Sequence, residues 1–173
     1  MQVTTPHDLY FKANLVDVRI AKDFFTTYLP ESIQKLILWD SLRFAKESFV
    51  DEELKENITD ILYTVETTQG KNAYLYLLAE HQATSDPLMP FRRLKYNVSI
   101  MDHHVKNLGF KELPLIYTLV YYTGAKPYRG SCDLFTLFGE HQALARSILY
   151  EPFQLIEVNQ LTDEMIETHR LIK

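Results

Sequence analysis

The sequence predicts a mixed α/β fold in which helices flank a central sheet. Three observations carry that prediction. Two short segments, Ile58–Glu66 and Tyr74–Ala79, are rich in β-branched and aromatic residues and are joined by a turn cluster. A longer segment with apolar residues every three or four positions follows them, and a second fully apolar run, Leu115–Tyr122, follows that. Hydrophobic residues make up 46% and charged residues 24% of the 173 residues, which sets aside disorder and a disulfide scaffold.

The first segment reads as a helix. Phe11, Leu15, Val18, Phe25 and Tyr28 recur on one face, with His7-Asp8 at the cap position after Pro6, a kink near 14–17 and a stop at Pro30. Residues 36–49 mix aromatics with charge and fit neither period. Ile58–Glu66 and Tyr74–Ala79, separated by Thr67-Thr68-Gln69-Gly70-Lys71-Asn72, make a hairpin. The second strand is apolar on both faces, as a strand covered from both sides must be.

Asp86-Pro87 and Met89-Pro90 then open a long helix, whose buried face is expected to be Phe91, Leu94, Val98, Met101 and Val105, with Gly109 ending it. Leu115–Tyr122 is a buried strand. Phe153–Val158 alternates as a last strand would, and Thr162–Lys173 closes as a helix. Glu140-His141-Gln142 sits in a helix-prone stretch and reads as chance repetition of an earlier tripeptide.

Charge and cysteine content narrow the function. Eighteen Lys and Arg against 23 Asp and Glu give a net charge of -5, which argues against whole-surface binding to nucleic acid but not against a local basic groove. The single Cys132 and the absence of an apolar leader or a membrane-length apolar run point to the cytoplasm and to no membrane partner. No spacing of His and Cys suits zinc.

The strongest chemical signal is Leu78-Ala79-Glu80-His81-Gln82 at the end of a central strand. Glu80 and Gln82, two residues apart, share one face of the sheet. Asp60 lies in the preceding strand, where hairpin pairing brings it beside Glu80. Two neighbouring carboxylates repel unless one is protonated or both bind a cation, and a hard ion such as Mg²⁺ suits an all-oxygen site. Arg92 and Tyr96 then lie four apart on the helix, away from Leu94 and Val98, with Arg93 and Lys95 beside them. Guanidinium groups grip phosphate, and Tyr donates to it or stacks on a base.

The same residues resemble the Rpn (YhgA-like) family of recombination-promoting nucleases and transposases, of the PD-(D/E)XK nuclease superfamily. The matching blocks are Pro6-His7-Asp8-x-x-Phe11-Lys12, Tyr28-Leu29-Pro30, Thr59-Asp60-Ile61-Leu62-Tyr63, Glu80-His81-Gln82 and Met89-Pro90-Phe91-Arg92-x-x-x-Tyr96. The resemblance implies a restriction-endonuclease-like αβββαβ core and DNA cleavage with Mg²⁺ or Mn²⁺. It implies Asp60 and Glu80 as metal ligands, Gln82 as the third catalytic residue where many superfamily members carry lysine, and Arg92, Tyr96, Arg93 and Lys95 as the phosphate-binding set. The expected organisation is one nuclease-like domain over 1–173, lacking the C-terminal extension of longer members, and a homodimer suits cutting both strands of a duplex. The competing expectation is a catalytically weak relic that binds DNA or protein without cutting.

Overall fold

The computed structural model of the protein describes residues 13–45, 61–80, 86–108 and 112–157. They fall into two compact units divided between Cys132 and Asp133.

Among the described residues, the first unit opens with a helical turn at 13–15 and α1 (Val18–Tyr28). The break between them is the expected kink, and it has a local cause. Asp17 caps α1 by accepting a hydrogen bond from the Arg19 backbone N–H at 2.9 Å. The Arg19 guanidinium hydrogen-bonds the same carboxylate, which holds its pKa down at about 2. Leu15, Ala21, Phe25 and Leu29 are the buried positions, while Tyr28, expected in the core, is 62% exposed. Phe11, His7 and Asp8 lie outside the described residues. Pro30 closes α1 and caps the single turn α2 (Glu31–Gln34).

The stretch that fits neither period is a strand, β1 (Ile37–Phe44). It pairs antiparallel with β2 (Ile61–Thr67), and the register shifts between Leu38 and Arg43. The irregularity explains the missing alternation: from Leu38 to Arg43 β1 advances five residues while β2 advances two, and an odd excess carries the side chains out of phase. β2 and β3 (Asn72–Glu80) form the expected hairpin, with Ile61 opposite Leu77 and Glu66 opposite Asn72. Gly70 turns it at φ +72°, a conformation open to glycine without the Cβ clash that other residues meet. A crossover through α3 (Met89–Leu108) leads to β4 (Leu115–Tyr122), which runs parallel to β3 from Ala73–Leu115 to Glu80–Tyr122. The sheet order is β1-β2-β3-β4. Helix, three antiparallel strands, helix and parallel strand in sequence is the αβββαβ order of a restriction-endonuclease-like fold.

Alternation along β2 and β3 sorts their side chains into two cores. Tyr63, Val65, Leu75 and Leu77 pack with Leu15, Ala21 and Phe25 on the α1 side. Leu62, Tyr74, Tyr76 and Leu78 pack with Met89, Tyr96 and Ile100 on the α3 side. Here one sequence expectation is overturned. The face of α3 against the sheet is Met89, Tyr96, Ile100 and His104, whereas Phe91, Leu94, Val98 and Val105 are exposed by 36% to 54%. The helix is apolar on two sides, and periodicity alone does not say which side meets the sheet. Gly109 lies outside the described residues.

His104 is buried in this core, its Nδ1 2.9 Å from the Tyr74 hydroxyl. Burial and the neighbouring His103 lower its pKa below the ordinary 6.5, so the folded state favours the neutral ring. Its contribution is complete above about pH 6.5 and is lost as the pH falls toward the depressed folded value. Thermal melts at pH 7.5 and 5.5 are expected to show that loss in the wild type and a smaller one in His104→Phe.

The second unit holds a 3₁₀ helix (Leu134–His141) and α4 (Gln142–Tyr150). Asp133 caps the former and pairs with Arg146 at 2.7 Å, whose guanidinium lies 4.1 Å over the Phe135 ring. Glu140-His141-Gln142 spans the junction of these two helices, in keeping with a helix-prone stretch. The expected last strand is absent over 153–157, where Phe153 is 84% exposed. Alternation supplies a face but not a neighbouring strand, and a strand needs both. Val158 and the expected helix Thr162–Lys173 lie outside the described residues.

Candidate functional site

β3 is the element that positions the site. Six consecutive residues, Ala73–Leu78, are buried, so the strand runs through the centre of the unit and delivers its last residue, Glu80, to the carboxyl end of the β3–β4 pair. The Cα partner of Glu80 is Tyr122, the last residue of β4. Carboxyl ends of neighbouring parallel strands are the habitual place for a ligand crevice in α/β sheets. Asp60 and Gln82 lie outside the described residues, as does the side chain of Glu80.

A cleft of about 360 Å³ opens at this end of the sheet. Met89 and Pro90 of α3, Val120 and Tyr122 of β4, and Tyr128 beyond it form its mostly apolar wall, and Arg93 supplies a cation. The Tyr122 and Tyr128 rings meet edge to face at 5.2 Å. The Tyr122 hydroxyl is buried and has no hydrogen-bond partner among the described residues. A Cβ at Gly124 would overlap that hydroxyl, so any larger residue there has to displace the Tyr122 ring. The sequence signal for this wall is Tyr121-Tyr122 followed by Gly124, Pro127 and Gly130, a strand end with glycines where rings and backbone approach closely.

The four residues expected to bind phosphate are divided by the helix. Arg92 is engaged within the fold: its Nη1 donates to Asp86 Oδ2 at 3.1 Å, and both side chains are largely shielded, at 21% and 16% exposure. Asp86 also accepts from the Leu88 N–H at 2.8 Å, so the pair fixes the entry of α3. Tyr96 is indeed on the side away from Leu94 and Val98, but that side is the inner one. Tyr96 is 7% exposed, packs edge-on against Tyr76 and has the Arg92 guanidinium 5.9 Å from its ring centre. Base stacking on a ring held in the core is closed to it. Arg93 and Lys95 are exposed. At 100° per residue they diverge by about 200°, so one groove does not collect both. Arg93 is the one that lines the cleft.

Among the described residues no group of three or more His, Cys, Asp or Glu converges where it could hold a metal ion, and none of their helices is long and apolar enough to cross a membrane.

Residues 5–173 match the family model described as "Putative transposase, YhgA-like". The chain belongs to this family. It is 37% identical over 170 residues to the recombination-promoting nuclease RpnA of Escherichia coli K12, covering 98% of this chain and 57% of that relative. The recombination-promoting nuclease RpnD of Escherichia coli O157:H7 is 34% identical, with 98% of this chain and 65% of the relative covered. A protein named as an inactive recombination-promoting nuclease-like protein, RpnE of Escherichia coli K12, is also 34% identical over 98% of this chain and 56% of its own length. The family member described here thus spans between about half and two-thirds of these curated relatives. No solved structure matches the chain.

Proposed function

We propose that this YhgA-like chain is the catalytic core of a recombination-promoting DNA nuclease, hydrolysing phosphodiester bonds with a divalent cation, Mg²⁺ or Mn²⁺, held by Asp60 and Glu80. The observation that supports it most is the cleft at the carboxyl end of β3 and β4, where the partner of Glu80, Tyr122, and the exposed Arg93 line one wall. The hairpin register adds to it: β2 and β3 pair from Glu66 opposite Asn72 to Ile61 opposite Leu77, so the start of β2 lies beside the strand that ends in Glu80.

The donor set fits such an ion in kind, being two carboxylates. The cation supplies a Lewis acid at the scissile phosphate. The protein's own residues bind and orient: Gln82 accepts from the attacking water, Arg93 holds a backbone phosphate at the cleft, and Arg92, fixed by Asp86, keeps the start of α3 in place. With no lysine at 82, positive charge on the protein side comes from Arg93.

Replacing Arg93 by alanine is expected to lower the salt dependence of DNA binding by about one unit in the slope of log K against log salt. Lys95→Ala, on another side of the helix, leaves that slope near the wild-type value. Fluorescence anisotropy on a labelled duplex over a salt series measures both.

The similarity to RpnE, named as inactive, favours a second reading in which the chain binds DNA or protein without cutting. Incubation of the folded protein with supercoiled plasmid in Mg²⁺, Mn²⁺ or EDTA separates the two. The nuclease nicks or linearises DNA with metal and not with EDTA. Binding without cleavage under every condition selects the second reading.

A further inference from the structure

The outer face of α3 carries a complete apolar seam. Phe91, Leu94, Val98, Met101, Val105 and Leu108 follow spacings of three, four, three, four and three. Phe91 is 47%, Val98 54% and Leu108 56% exposed, while the opposite face is buried against the sheet. A strict alternation of three and four is the pattern of a helix that packs along another helix. The sheet accounts for one apolar face of α3 and leaves this one without a cover among the described residues.

The charges beside the seam identify the cover. Lys95 and Asp102 are exposed, lie on one flank and stand seven residues apart. We infer that the seam pairs with the same seam of a second copy of this chain, the two α3 helices running antiparallel across a two-fold axis. In that arrangement Phe91 layers on the partner's Leu108, Leu94 on the partner's Val105 and Val98 on the partner's Met101. Lys95 then meets the partner's Asp102, and the symmetry repeats every contact. A parallel pairing matches neither charge, since its flanks set Lys95 beside the partner's Pro90 and Asp102 beside the partner's Asn97. Asp102 takes Lys106 of its own helix at 2.6 Å, and a carboxylate accepts from a second cation as well. Two such helices run together for about 30 Å, which puts the contact at the small end of specific interfaces, on the order of 1,200 Å². The inference does not depend on whether the chain cuts DNA.

Sedimentation equilibrium or light scattering from micromolar concentrations upward, with circular dichroism as the check on folding, tests it. The wild type is expected to dimerise. Val98→Glu raises the dissociation constant at least about tenfold, equivalent to some 1.4 kcal/mol. Lys95→Asp weakens the dimer by opposing two carboxylates, and the double exchange Lys95→Asp with Asp102→Lys restores it. A wild type that stays monomeric throughout overturns the inference. So does a dimer indifferent to Val98→Glu, whose contact then lies on another surface, such as Leu144 and Ile148 of the second unit. A double exchange as weak as the single one overturns the antiparallel register.

Discussion

Asp60→Ala and Glu80→Ala are each expected to reduce metal-dependent DNA cleavage by about 10²–10⁴-fold. The range follows from the several kcal/mol that a bound cation contributes to the charge of a phosphoryl transition state, at 1.36 kcal/mol per tenfold in rate. Neither substitution is expected to unfold the protein, because removing one of two mutually repelling carboxylates relieves repulsion. The check is the initial rate of plasmid nicking, read beside the far-ultraviolet circular dichroism and melting temperature of each variant. A variant that cleaves at the wild-type rate removes its residue from the site.

Tyr63→Ala is expected to produce the largest loss of stability, about 3–5 kcal/mol, as truncations of a buried ring to alanine do. Tyr63 is 0% exposed at the centre of β2, with Phe25 at 5.2 Å and Phe44 at 6.0 Å, both edge to face. Its hydroxyl donates to the Leu15 carbonyl at 2.6 Å, tying the turn before α1 to the sheet. Removing only the hydroxyl in Tyr63→Phe strands a buried carbonyl and costs roughly 1–3 kcal/mol. Burial holds the phenol above the ordinary value of 10, so its contribution is complete below about pH 10 and declines as the pH rises beyond it. Urea midpoints of the two variants measure both effects, and a Tyr63→Ala midpoint within error of the wild type contradicts this packing.

These two predictions draw on different parts of the chain, and the sequence announces them unequally. The hairpin and the central strand could be read because Ala73–Leu78 is apolar without interruption and Gly70 marks the turn between its strands. β1 could not, since its shifted register between Leu38 and Arg43 erases the alternation that reveals a strand. The residues 153–157 show the reverse failure, a pattern with no ladder to join. α3 is the instructive case. The spacing of Phe91, Leu94, Val98, Met101 and Val105 correctly reports an apolar face, but Tyr96, Ile100 and His104 form a second one, and only the sheet decides between them.

The candidate site divides in the same way. The motif around Glu80 is visible in the sequence because polar residues at the end of an apolar strand are unusual, and the fold carries Glu80 to the end of the β3–β4 pair. The grouping of Arg92, Tyr96, Arg93 and Lys95 into one phosphate-binding patch was a product of closeness along the chain. On the helix Tyr96 turns inward, Arg92 is engaged by Asp86, and Arg93 and Lys95 face apart. The cleft wall built by Tyr122 and Tyr128 gives almost no local signal, because it depends on the partner that β4 finds in β3.

The central claim is that Asp60 and Glu80 together hold the cation that cleavage requires. A titration of the folded protein with Mn²⁺, followed by calorimetry or by the water relaxation rate, tests it most directly when run on the wild type, Asp60→Asn and Glu80→Gln. The account predicts saturable binding in the wild type that is lost in both variants along with plasmid cleavage. Equal Mn²⁺ binding in all three proteins, or cleavage that persists in Glu80→Gln, would contradict it.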